Sequence, residues 1–210
     1  MPIIVENGEM PPWCELRRFE IVRLEGDERV YFAREGMKEK LIIAEGGCEV
    51  RVGGRSFTAS KGEQFNSGLQ AESFEVLNAE IGTVVMRLCG SWGEVTGGSG
   101  IFEMHATTEP SNTGDPADYP RNTKFDRHYH DCDEYYILYE GEGVVLTENK
   151  LYDITAGDCV AIGKGHHHDL PIVRETVKAV FFETTLQGLK RTGHLWNHTH
   201  GPAVPEQERV

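Results

Sequence analysis

No apolar run in the sequence approaches the ~20 residues that cross a bilayer as a helix. Base is scarce as well: 34 acidic residues face 21 basic ones, for a net charge of −13. Nucleic acid calls for a basic stripe, and an anionic membrane surface calls for the same, so neither partner is expected. The five cysteines (Cys14, Cys48, Cys89, Cys132 and Cys159) are odd in number and form no CxxC. That pattern argues against a disulfide framework and for small core thiols in a reducing cytoplasm. The opening stretch MPIIVENGEMPPW has neither a basic region nor an apolar core, so no secretory leader is expected. Long helical patterning is missing too. Apolar runs are short and broken by turn residues, with 24 glycines in 210 residues, which predicts many short strands. Histidine is absent from the first 104 residues; all nine lie at 105, 128, 130, 166, 167, 168, 194, 198 and 200.

What is present is a repeat. At an offset of 95, CEVRVGGRSFTASKGE (48–63) lies against GVVLTENKLYDITAGD (143–158), and EKLIIAEG (39–46) against EYYILYEG (134–141). Each copy reads as an alternating strand, a Gly turn, a second strand, a polar hairpin tip and a third strand. Such a unit of antiparallel strands removes its exposed edges by closing into a barrel or two-sheet jelly roll. Between the copies, GSWGEVTGGSG (90–100) has the composition of a flexible connection. ATTEPSNTGDPADYPRNT (106–123) reads as an irregular loop of functional length. The tail from Gly188 reads as irregular or partly helical. Its His194, Trp196, His198 and His200 are expected to pack on their own barrel, to cover its mouth or to make a dimer contact.

The chemistry belongs to the second copy. His128, His130 and His168 correspond to Ala33, Glu35 and Ser73, while Glu134 keeps a counterpart in Glu39. A histidine needed for folding would recur in both copies. Alternate residues of a strand share a face, so His128 and His130 point into one interior, and His166 and His168 share a side of a later strand. Three neutral imidazoles and a carboxylate converging there suit a divalent transition metal, Mn, Fe, Ni or Zn, with two coordination positions left open. The run His166-His167-His168 leaves open which histidine completes such a site.

Residues 128–141, HYHDCDEYYILYEG, and 157–168, GDCVAIGKGHHH, resemble the two motifs of the cupin superfamily. Asn122, Gly163 and Ile172 depart from the usual Gly, Pro and Asn of those motifs. The resemblance implies an all-β protein of two tandem antiparallel jelly-roll barrels with short irregular or helical flanks. Residues 1–95 would form a degenerate N-terminal barrel, 96–187 a metal-binding barrel and 188–210 a tail. It also implies His128, His130, Glu134 and His168 as ligands, with His166, Tyr136 and Glu183 as candidates to position substrate or move a proton. Glu183 aligns with Leu88 of the first copy, a barrel that is expected to be scaffold, dimer surface or degenerate pocket. The expected function is a metal-dependent isomerase or lyase acting on a small sugar, sugar acid or keto acid. A non-haem dioxygenase and a non-catalytic binding module are the alternatives, and a homodimer is compatible with each.

Overall fold

The structure is a computed structural model describing residues 3–67, 73–186, 188 and 190–210. Its strands are antiparallel and divide between two compact units. Among the described residues the single helix, α1 (Asn197–His200), is one turn long, and no helix is long and apolar enough to cross a membrane.

The first unit comprises Glu6–Met10 and Glu15–Trp92. One of its four-stranded sheets has the order β2 (Leu16–Glu25), β9 (Ile81–Gly90), β4 (Lys38–Glu45), β7 (Gln64–Ser67). The other runs β3 (Val30–Ala33), β8 (Ser73–Leu77), β5 (Gly47–Val52), β6 (Arg55–Ser60). Alternate apolar residues from both, including Leu24, Leu41, Ile43, Val50, Phe74 and Val85, make one buried core.

The second unit comprises Gly93–Val210 with Pro11–Cys14 and the strand β1 (Ile3–Val5). Its sheet has the order β1, β13 (Asp158–Ile162), β11 (Glu134–Thr147), β14 (Asp169–Thr185), β10 (Thr96–Met104), with β12 (Lys150–Thr155) also paired to β11. Here two long strands serve both walls of the jelly roll. β11 spans what β4 and β5 do in the first copy and bends through register shifts between Leu138 and Leu146. Leu138, Val145, Ile154, Val160, Val173 and Val177 fill the interior.

The repeat extends to backbone conformation. The hairpin tips Gly53-Gly54 (φ 57° and 74°) and Glu148-Asn149 (φ 53° and 57°) are both left-handed at both central residues, as a two-residue hairpin matching the strand twist requires. Gly46 (φ 69°) and Gly141 (φ 86°) hold equivalent bends, where a Cβ would run into Thr83 and the Thr176 backbone respectively.

The units divide between Trp92 and Gly93, and β1 sits with the second, whereas the sequence groups residues 1–95, 96–187 and 188–210. A repeat search cannot see β1, because among the described residues that strand has no counterpart in the other copy. Residues 1, 2, 68–72, 187 and 189 of those spans lie outside the described residues. The expected flexible connection is, from Thr96 onward, strand β10. Its glycines provide clearance: a Cβ at Gly97 would meet the Glu183 side chain, and one at Gly100 the Phe181 ring. The 106–123 segment is irregular, as its composition predicts, yet it is pinned down. Asn122 bonds Val173 through both its side-chain oxygen and nitrogen at 2.8 Å, Tyr119 donates to Asp169 at 2.6 Å, and Arg121 reaches the Ser111 and Phe125 carbonyls at 2.9 Å.

Candidate metal centre

His128 and His168 face each other across a β-bridge, each amide donating to the other's carbonyl, at 3.2 and 2.9 Å. Directly opposed residues place their side chains on one face. His130 is two residues further along, and Glu134 opens β11. The four side chains are buried, and their ligand atoms all lie within 4.8 Å of one another. His168 Nε2 is 2.9 Å from both His128 Nε2 and Glu134 Oε2, and His130 Nε2 is 3.4 Å from Glu134 Oε2.

The outer nitrogens explain the inner ones. His128 Nδ1 bonds the Asp126 carbonyl at 2.8 Å and His168 Nδ1 the His166 carbonyl at 3.1 Å. A carbonyl only accepts, so each Nδ1 carries the proton and each Nε2 presents a lone pair inward. Two lone pairs then face each other at 2.9 Å, while His130 Nε2 and Glu134 Oε2 are buried with no hydrogen-bond partner. Burial drives His128 well below its usual range and His130 and His168 down to about 3, so the imidazoles are neutral. Burial also pushes Glu134 upward. Uncharged nitrogen donors, a desolvated carboxylate and orphaned polar atoms fit a divalent cation, and these are the four side chains that the motif resemblance singles out.

Beside the cluster is a cavity of about 290 Å³ lined by Phe102, Phe125, Glu134, Tyr136, Phe181, Glu183, Gly193 and His194. Tyr136 is buried edge-on to Phe102, with ring centroids 5.2 Å apart, and its hydroxyl donates to Glu134. Glu183 is opposite Glu134 in the β11–β14 register and so shares its face. The same register makes its counterpart Cys89, opposite Glu39, not the Leu88 that a constant offset gives. β14 runs one residue out of step with the repeat.

Burial first, then the charge of Glu134, raises Glu183 from 4.5 to about 7. A carboxyl whose folded pKa exceeds its unfolded one contributes stability below about 4.5 that is lost as pH rises through about 7. At about 1.4 kcal/mol per unit, metal-free protein should lose on the order of 3 kcal/mol from this group between pH 4.5 and 7.5. Glu183→Gln should flatten that part of the profile in urea denaturation, and an unchanged slope would contradict the assignment.

His166 does not join the site. The strand alternation that pairs it with His168 is broken by the turn at Lys164-Gly165, and its Nε2 lies 3.1 Å from the Glu206 carbonyl, facing the tail. His167 does not join it either, and bonds buried Asp115 at 2.8 Å. Asp115 also holds the Asn197 amide at 2.8 Å and His198 at 3.1 Å, fastening the tail to the 106–123 segment. The tail thereby brings in a residue the sequence did not mark as part of the site. His194 lines the cavity and stacks on His128, with centroids 3.7 Å apart and planes at 4°. Asp126 accepts from His194 Nδ1 at 3.0 Å and from Trp196 Nε1 at 2.9 Å. Burial pulls His194 down, but the bond to Asp126 and its charge outweigh it and hold the imidazole above its usual range.

In the first unit a cationic side chain stands beside the equivalent carboxylate. Glu39, the counterpart of Glu134, is 2.9 Å from Arg87 Nη2, and Glu20 is 2.8 Å from Nη1. The Ala33 carbonyl also accepts from Nη2. Arg87 is 2% exposed and occupies the register position of Phe181. A guanidinium there neutralises the conserved carboxylate of the repeat, while Glu35 stays at the surface.

An antiparallel jelly roll with a buried cluster of three histidines and a glutamate defines the class, and the comparisons agree with it: the chain belongs to the cupin superfamily. Residues 117–184 match the Cupin domain family. The chain is 43% identical, over 208 residues covering 99% of it and 96% of the relative, to the uncharacterized protein y4oW of Sinorhizobium fredii. Its fold is similar to that of an IolB-like protein from Salmonella typhimurium, at 13% identity and TM-score 0.57 over 94% of each chain. It is similar also to an oxalate decarboxylase from Bacillus subtilis with Mn(II) centres, at 10% identity and TM-score 0.52, covering 82% of this chain and 70% of that one.

Proposed function

We propose that the second barrel is a metal-dependent enzyme that moves a proton on a small substrate offering two adjacent oxygens, in isomerase- or lyase-type chemistry. The observation that carries this reading is the position of Glu183, a buried carboxyl opposite Glu134 that faces the same cavity as the candidate ligands. A divalent ion held by His128, His130, Glu134 and His168 would supply Lewis acidity to a chelated oxygen pair, easing loss of the neighbouring proton. Glu183 takes that proton and returns it. The Tyr136 hydroxyl, held by Glu134, fixes the carboxylate on its inner side. His194, held by Asp126, lines the same cavity and offers an imidazole to orient the substrate.

The test is deuterium exchange from 2-oxo and 2-hydroxy acids in anaerobic D₂O with metal-loaded protein. Exchange should proceed without dioxygen and fall at least ~100-fold in Glu183→Gln, while that variant keeps its metal. Exchange or turnover that requires dioxygen would replace this reading with an oxygenase.

A further inference from the structure

We infer that the cavity selects a substrate with one small aromatic or branched apolar body behind its oxygen-bearing head. The inference rests on the enzymatic reading above and names the substrate class. Phe102, Phe125 and Phe181 are half-buried, packed on the core on one side and lining the cavity on the other. Tyr136 stands edge-on to Phe102 and Phe125, at 5.2 and 6.1 Å between centroids. Apolar area left open inside a cavity is favourable to cover. Apart from the Tyr136 hydroxyl, which is spent on Glu134, the polar side chains of the lining are Glu134, Glu183 and His194. A free sugar would bring hydroxyls against four aromatic rings, stripping them of water without replacing the hydrogen bonds. An apolar body loses nothing there.

The repeat gives an independent argument. By register and offset, the first-unit counterparts of Phe102, Phe125, Tyr136 and Phe181 are Val22, Val30, Leu41 and Arg87. None is aromatic, so the barrel folds without these rings, as it does without the histidines. Gly100 adds a third observation, since a Cβ there would displace the Phe181 ring from the cavity wall. Size limits the body. An apolar cavity of roughly 150 Å³ accepts benzene, so about 290 Å³ admits one such ring and a short head.

Co(II)-loaded protein titrated calorimetrically with phenylpyruvate, pyruvate and 2-keto-D-gluconate separates the possibilities. Phenylpyruvate should bind at least about tenfold more tightly than pyruvate, and 2-keto-D-gluconate should show no such advantage. Phe102→Leu and Phe181→Leu, which keep the core apolar, should each weaken phenylpyruvate binding more than pyruvate binding and so shrink the preference. Equal affinities, tighter binding of 2-keto-D-gluconate, or no binding of any probe to the Co(II) form overturns the inference while the metal site stands. Failure to take up Co(II) overturns both readings.

Discussion

Protein stripped by a chelator and titrated with a divalent transition metal should take up one ion per chain and melt on the order of 10 °C higher at a thousandfold excess over Kd. The rise follows from the state of the empty cluster. Three neutral imidazoles and one desolvated carboxylate face each other with two lone pairs opposed at 2.9 Å and two polar atoms unbonded. A cation relieves both conditions in the folded state alone, because the unfolded chain scatters its ligands. His130→Ala and Glu134→Gln should each weaken binding by more than the roughly 10- to 100-fold that loss of an outer partner costs. Thermal melts with and without metal, together with metal analysis of each variant, measure this. An equal thermal rise in His130→Ala would remove that side chain from the site, and no uptake by the parent protein would remove the site.

The second large effect is expected in the other barrel. Arg87→Ala should cost about 3–5 kcal/mol, because it leaves Glu39, with no exposed side-chain area, charged and without its cation. It also removes a guanidinium stacked 5.2 Å from the Phe32 ring centroid. The double variant Arg87→Met/Glu39→Met should recover most of that loss, because a buried ion pair can often be replaced by apolar groups of similar volume. Urea denaturation reads the cost, and metal affinity should stay the same in both variants. A single variant costing less than about 1 kcal/mol would mean that water reaches Glu39.

How much of this was legible in the sequence follows from the geometry of strands. The offset of 95 exposed both jelly rolls, because equal strand and turn lengths preserve spacing down to the left-handed tips at Gly53-Gly54 and Glu148-Asn149. His128, His130 and Glu134 were legible because alternation along extended chain fixes their face. His166 misled for the complementary reason, since alternation ends where the chain turns at Lys164-Gly165. His194 and Asp126 meet across 68 residues, and no local pattern encodes that meeting. The phenyl wall was readable in principle: the comparison of copies that isolates the histidines also isolates Phe102, Phe125 and Phe181. β10 hid behind its glycines, which serve a close approach as well as they serve flexibility.

The pairing of β1 with β13 constrains how the molecule comes to be made. Ile3 pairs with Val160, so that strand waits for a partner 157 residues later in the chain, while every strand of the first unit lies between Leu16 and Gly90. Contacts of such long separation are slow to form. The barrel with the candidate metal centre is therefore the late one, its sheet edge open until the last strands are in place, and a fragment from Gly93 onward would keep that edge open. The two halves look like duplicates, yet the half that holds the candidate metal centre borrows an edge strand from the far end of the chain, while the other draws all its strands from residues 16–90.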